Sequence, residues 1–130
     1  MGAPIRFGLF VPQGGVAAGA LREIAQTAER SGFDSLWVYD HLYNYPSAAH
    51  PEVLEAFTLM SLLAGWTRTI RIGAMVLCDG YRNPALTAKM AATLDALSGG
   101  ASSSATAPAG TRRSTTATAT SFPRPRRASR

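Results

Sequence analysis

"IRIGAMVLCDGYRNPALTAKMAATLDALSGG", residues 70–100, decides how the rest of the chain is read. Its first eight residues form an apolar run rich in β-forming types, which predicts a strand over 70–77. A polar loop leads to Asn83-Pro84, where Asn can cap a helix through its side chain and Pro fits the first helical position. Leu86, Met90, Leu94 and Leu97 then recur on one side of the predicted helix, and Gly99-Gly100 stops it. Strand plus helix fill roughly 30 residues, the size of one βα unit.

The same unit can be traced twice upstream. "PIRFGLFVP", residues 4–12, predicts a strand buried on both faces and closed by Pro12 and Gly14-Gly15. Leu21, Ile24, Ala25 and Ala28 follow at i, i+3, i+4 and i+7, a helical stripe ending near Ser31-Gly32. "DSLWVYD", residues 34–40, predicts the second strand, and 52–67 a second helix with Leu54, Phe57 and Leu62 on a broad apolar face. Strands near residues 5, 35 and 70 recur at the period of right-handed crossovers in a parallel sheet. Such alternation admits a doubly wound sheet or part of a (β/α)8 barrel. The first turn, "PQGGVAAG", lacks the G-x-G-x-x-G spacing of a dinucleotide fingerprint, which favours the barrel.

Charge divides the chain at residue 100. Residues 1–100 carry seven Lys/Arg and eight Asp/Glu, whereas 101–130 carry six Arg and no acid, so the net charge of +5 belongs to the tail. That weakens the nucleic-acid reading a basic protein otherwise invites. The single cysteine, Cys78, has no internal disulfide partner, and no signal-like opening is present, so the expected setting is cytoplasmic. The longest apolar stretch, Leu59–Trp66, is interrupted by Ser61 and Gly65 and falls short of the ~18 residues of a membrane span.

Taken together, "RFGLFVPQ", "GFDSLWVYDHLY" and residues 70–100 resemble the amino-terminal part of the bacterial luciferase-like family, specifically its oxidoreductases that use the deazaflavin coenzyme F-420. The resemblance implies a (β/α)8 barrel of which this chain supplies the amino-terminal three βα units. It implies hydride exchange between F-420 and a small organic substrate in a homo-oligomeric parent enzyme, with no metal, membrane or nucleic-acid partner. The alternative within the family is an FMN-dependent monooxygenase using O2 and a flavin reductase. A remoter alternative is a non-enzymatic module binding nucleic acid through its basic tail, which predicts salt-dependent binding.

In such a barrel the chemistry sits at the carboxyl ends of the strands, here Gln13, Tyr39-Asp40-His41 and Met75 to Asp79. By resemblance, His41 is the catalytic candidate, placed to handle a proton beside the deazaflavin, and Asp40 faces the same ring. Met75-Val76 matches a bulged strand with a cis peptide against the ring, and Cys78 lies near its pyrimidine edge. Plainer roles compete with these: His41 as a loop anchor, Asp40 as a cap and Cys78 as a small buried side chain. Trp37 and Trp66 read as core, and His50 as a loop residue.

Period and composition disagree after residue 100. A fourth strand is due at about residue 101 by the βα spacing. Residues 101–130 instead contain one aromatic, Phe122, and no Val, Ile, Leu or Met, which predicts a disordered tail. The genetic code offers a reconciliation, a single base lost near codon 100. Residues 101–114 can be encoded so that the neighbouring frame reads Arg-Leu-Glu-Leu-Gly-Tyr-Gly-Ala-Gly-Trp-Tyr-Glu-Ala-Glu. That is the fourth strand and glycine-rich turn implied by the resemblance.

Overall fold

The computed structural model describes residues 5–43, 52–99 and 102–107, the last of these as backbone. Four strands, β1 (Gly8–Phe10), β2 (Ser35–Val38), β3 (Arg71–Cys78) and β4 (Ser102–Ala107), alternate with three helices, α1 (Ala18–Arg30), α2 (Ala56–Trp66) and α3 (Pro84–Leu97). The sheet runs in the order β1-β2-β3-β4, every pair parallel. This is the βα progression expected from the strand spacing.

Local chemistry accounts for the element ends. Gly32 takes φ +81 after the end of α1, a conformation costly for other residues. At α2 the helix begins later than its apolar pattern predicts, because Glu55 stays extended and its carboxylate accepts from the N–H groups of Phe57 and Thr58. Leu54 therefore lies ahead of the helix and is half-exposed. Asn83 caps α3 as expected, its Oδ1 accepting from the Ala85 N–H at 2.9 Å with Pro84 next to it.

The core lies between one face of the sheet and the helices. Leu36 and Val38 of β2 and Ile72 and Ala74 of β3 pack with Leu21 and Ala25 of α1 and Leu59, Met60 and Leu63 of α2. Burying a side chain the size of leucine contributes about 1.5–3 kcal/mol, so this cluster is the main stabilising element. The opposite face of the sheet is less covered. Phe10 is 44% and Met75 49% exposed, which corrects the expectation that β1 is buried on both faces. Among the described residues, no further layer covers that side.

The helical stripe of α3 is also only partly used: Leu94 is buried, whereas Leu86 and Leu97 are exposed, and Leu62 of α2 is exposed too. Trp66 packs against the core as expected. Trp37 is half-buried and lies across Gly8, where an added Cβ would stand 2.6 Å from the indole Nε1. The tail requires a correction at its start. Residues 102–107 form β4, with Ser102, Ser103 and Ser104 in register with Ile72, Gly73 and Ala74. The βα period is met there in backbone geometry despite the composition. Residues 108–130 lie outside the described residues, as does His50.

Candidate active site

Three loops converge where the parallel strands end. Val11 continues the pairing of β1 by donating its N–H to the Trp37 carbonyl, and two residues later Gln13 turns inward. Its Nε2 donates to the carbonyls of Tyr39 at 2.8 Å and Leu54 at 2.9 Å, while its Oε1 accepts from the Tyr39 N–H at 2.5 Å. One buried amide thus ties the end of β1 to the end of β2 and to the segment entering α2. Leaving such buried groups bare would cost about 1–3 kcal/mol each.

Asp40, the next residue but one after β2, is 3% exposed. Its carboxylate takes both arms of the Arg82 guanidinium, Nη1 to Oδ2 at 2.6 Å and Nη2 to Oδ1 at 2.9 Å. Oδ2 also accepts from the Cys78 N–H at 2.9 Å, the last residue of β3. Arg82 bonds the carboxylate of Glu55 as well, and its guanidinium carbon sits 5.3 Å from the centre of the Phe57 ring. Paired planar groups of this kind are the strong form of ionic contact.

The electrostatics follow from these contacts. The bidentate bond to Asp40 is the largest influence on Arg82, and with Glu55 it outweighs burial and raises the guanidinium pKa. For Glu55 burial favours the neutral acid, yet the Thr58 and Phe57 N–H groups and Arg82 together hold its pKa below the ordinary value. Burial raises the Tyr39 phenol. Both Asp40 oxygens are thus engaged by protein donors, Arg82 at each and the Cys78 N–H at Oδ2.

His41 follows directly and is half-buried. Its ring lies 5.5 Å from that of Tyr39, tilted by 50°, and Tyr39 in turn stacks on Phe10 at 6.2 Å. These aromatics form a short row across the carboxyl ends of β1 and β2. On the neighbouring strand the Met75-Val76 peptide is cis, as the sequence resemblance implies, and the pairing of β3 with β4 shifts register between Ala74 and Leu77. Met75 is half-exposed there, Val76 is partly covered and Cys78 is buried.

The sequence candidates therefore separate into two groups. Asp40 and Cys78 are joined directly, with His41 adjacent in the chain, while Met75 and Val76 mark the irregular part of β3. Gln13 was identifiable as a strand-end residue, but its role as a three-way tie was not. No local pattern in the sequence marks Arg82 or Glu55 as partners. Their partnership spans 27 residues and that of Arg82 with Asp40 spans 42, distances over which periodicity carries no information. Among the described residues, no group of three or more His, Cys, Asp and Glu side chains is arranged to hold a metal, and no helix is long and apolar enough to cross a membrane.

The chain is similar to known proteins over about three quarters of its length. The 5,10-methylenetetrahydromethanopterin reductase of Archaeoglobus fulgidus is 34% identical over 97 residues, covering 74% of this chain and 26% of that protein. The F-420-dependent glucose-6-phosphate dehydrogenase of Kineococcus radiotolerans is 31% identical over 102 residues, covering 76% and 29%. Among solved structures, an F-420-dependent secondary alcohol dehydrogenase in complex with an F-420-acetone adduct superposes with a TM-score of 0.70 at 28% identity, over 78% of this chain and 31% of that one. The chain thus spans between a quarter and a third of the length of these relatives. The family model for luciferase-like monooxygenases matches residues 3–101. The chain belongs to the luciferase-like monooxygenase family.

Proposed function

We propose that this chain carries the amino-terminal βα units of a cytoplasmic, homo-oligomeric oxidoreductase that moves hydride between F-420 and a small organic substrate. The observation that carries the reading is the placement of His41: the Asp40 carboxylate, tied to the Cys78 amide, holds the His41 segment beside the irregular end of β3. The similarity to F-420-dependent relatives supports the choice of cofactor.

The residues present fit the flat ring of that cofactor. Phe10, Tyr39 and His41 make an aromatic row, and Met75 adds an apolar, half-exposed side chain on the neighbouring strand. When bound, F-420 supplies the carbon that accepts or releases hydride. Among these side chains, His41 carries the imidazole, whose two ring nitrogens can donate and accept a proton. With the cofactor bound, an imidazole nitrogen of His41 would hold or release a proton beside it, and Tyr39, 5.5 Å away, would limit rotation of the imidazole from one side. With the cofactor ring seated on them, the exposed Met75 and Phe10 side chains would exclude water from that wall. Arg82 is committed to Asp40 and Glu55, so the anionic part of the cofactor is not its partner.

Titration of the chain with F-420 and, separately, FMN, followed by cofactor fluorescence, tests the reading. A saturable F-420 signal that weakens at least tenfold in His41→Ala is expected, without turnover by this chain alone. Binding of FMN in place of F-420 would reassign the site to flavin monooxygenase chemistry. Failure of both to bind would remove the ring site from these residues.

A further inference from the structure

We propose that Arg82 is a positioning residue for His41, acting through Asp40. This rests on the reading of His41 as the cofactor-facing group, but the placement itself can be tested without cofactor. Arg82 is nearly buried, its side chain 12% exposed, and the 3%-exposed Asp40 carboxylate receives both of its arms. Asp40 immediately precedes His41, and the same carboxylate grips the Cys78 N–H. The orientation of the His41 segment relative to β3 is thus set at one atom, Oδ2, by two donors from the same β3–α3 region.

Arg82 is itself fixed from the other side. Glu55, the residue capping α2, accepts from Nη2, and the Phe57 ring from the first turn of α2 lies under the guanidinium. Two βα connections therefore meet on one planar cation, β2 to α2 through Asp40 and Glu55 and β3 to α3 through Arg82 itself, while Cys78 at the end of β3 joins the cluster through Asp40. A planar fork is required for this. An ammonium could keep the charge but could not bond both Asp40 oxygens in one plane while reaching Glu55.

The difference between fork and charge supplies the test. Aromatic and amide NMR spectra of the full chain are compared for the parent, Arg82→Lys, and the paired variant Asp40→Asn with Arg82→Met. The paired variant leaves no single buried charge behind, so its folding is not confounded by an orphaned ion. The expected result is loss of the ring-to-ring contact between Tyr39 and His41, and at least tenfold faster hydrogen exchange at the Cys78 amide, in the paired variant. Arg82→Lys is expected to recover the denaturation midpoint of the parent but not the His41 contact, a split that a purely structural cation would not produce. Parent-like Tyr39–His41 contacts in the paired variant would overturn the proposal, whatever the Cys78 exchange. Recovery of both stability and the His41 contact by Arg82→Lys would overturn it as well. Parallel F-420 titration separates the two readings: altered His41 geometry in a chain whose parent form binds no F-420 sustains the positioning role and removes the functional one.

Discussion

At the scale of single residues, the ties that hold this molecule together are polar side chains reaching backbone groups of distant loops. Glu29 is the clearest case away from the site. Its Oε1 accepts from the N–H groups of Arg68, Thr69 and Ile70, at 2.8, 2.6 and 3.1 Å, and from the Thr69 hydroxyl at 3.0 Å. A residue near the end of α1 thereby closes the turn between α2 and β3. Burial opposes the charge, but the three backbone donors and the hydroxyl prevail and hold the carboxyl at about 2. Because the folded pKa lies below the unfolded one, this stabilisation is present above about pH 4.5 and is lost as pH falls towards about 2. After allowance for solvent screening it amounts to ~1–2 kcal/mol. Glu29→Gln is expected to lower the urea midpoint at pH 7 and to flatten its fall between pH 5 and about 2. A variant whose midpoint tracks the parent through that range would show that the four donors do not discriminate charge.

At the scale of elements, the fit between β1 and β2 depends on the absence of one side chain. Gly8 pairs with Ser35, and the indole of Trp37, anchored by its Nε1–H to the Ser35 hydroxyl at 2.9 Å, occupies the space over Gly8. Gly8→Ala would place a methyl 2.6 Å from Nε1 and 2.7 Å from the Ser35 hydroxyl oxygen, so Trp37 must move. The expected penalty is about 1–3 kcal/mol, seen as a lowered denaturation midpoint with a red-shifted tryptophan emission as the indole is exposed. An unchanged spectrum and midpoint would mean that the indole is not packed over β1. The same element shows what a linear sequence reveals. Apolar runs and caps are local, so β1 to β3, the three helices and the Asn83 cap were readable from residues a few positions apart. The Trp37–Gly8 contact and the Asp40–Arg82–Glu55 lock depend on which strands become neighbours, and no local pattern encodes that. Burial was readable only for the helix-facing side. Phe10 looks like core by composition, yet its face of the sheet lacks a covering layer among the described residues.

At the scale of the whole molecule, β4 poses the remaining question. Its backbone pairs with β3 where a fourth strand belongs, yet its residues are serine, alanine and threonine. The single-base-loss reading resolves the conflict at particular positions. With the codons chosen above, the neighbouring frame puts leucine at positions 102 and 104, in register with Ile72 and Ala74, which are 1% and 0% exposed against the helices. Glutamate falls at 103 beside Gly73, and glycines fall at 105 and 107, spanning the stretch where the β3–β4 register shifts. Such an apolar alternation is what a strand beside β3 requires in order to extend the core. Resequencing the gene around codon 100 is expected to recover one base and a frame continuing through a glycine-rich turn into further βα units. Restoring that base should also raise the denaturation midpoint and remove dye binding to the open sheet face, since both leucines and the later units would then cover apolar surface. An uninterrupted Ala/Ser/Thr frame with no homologous frame downstream would instead make β4 a strand of the protein's own design, paired through its backbone alone.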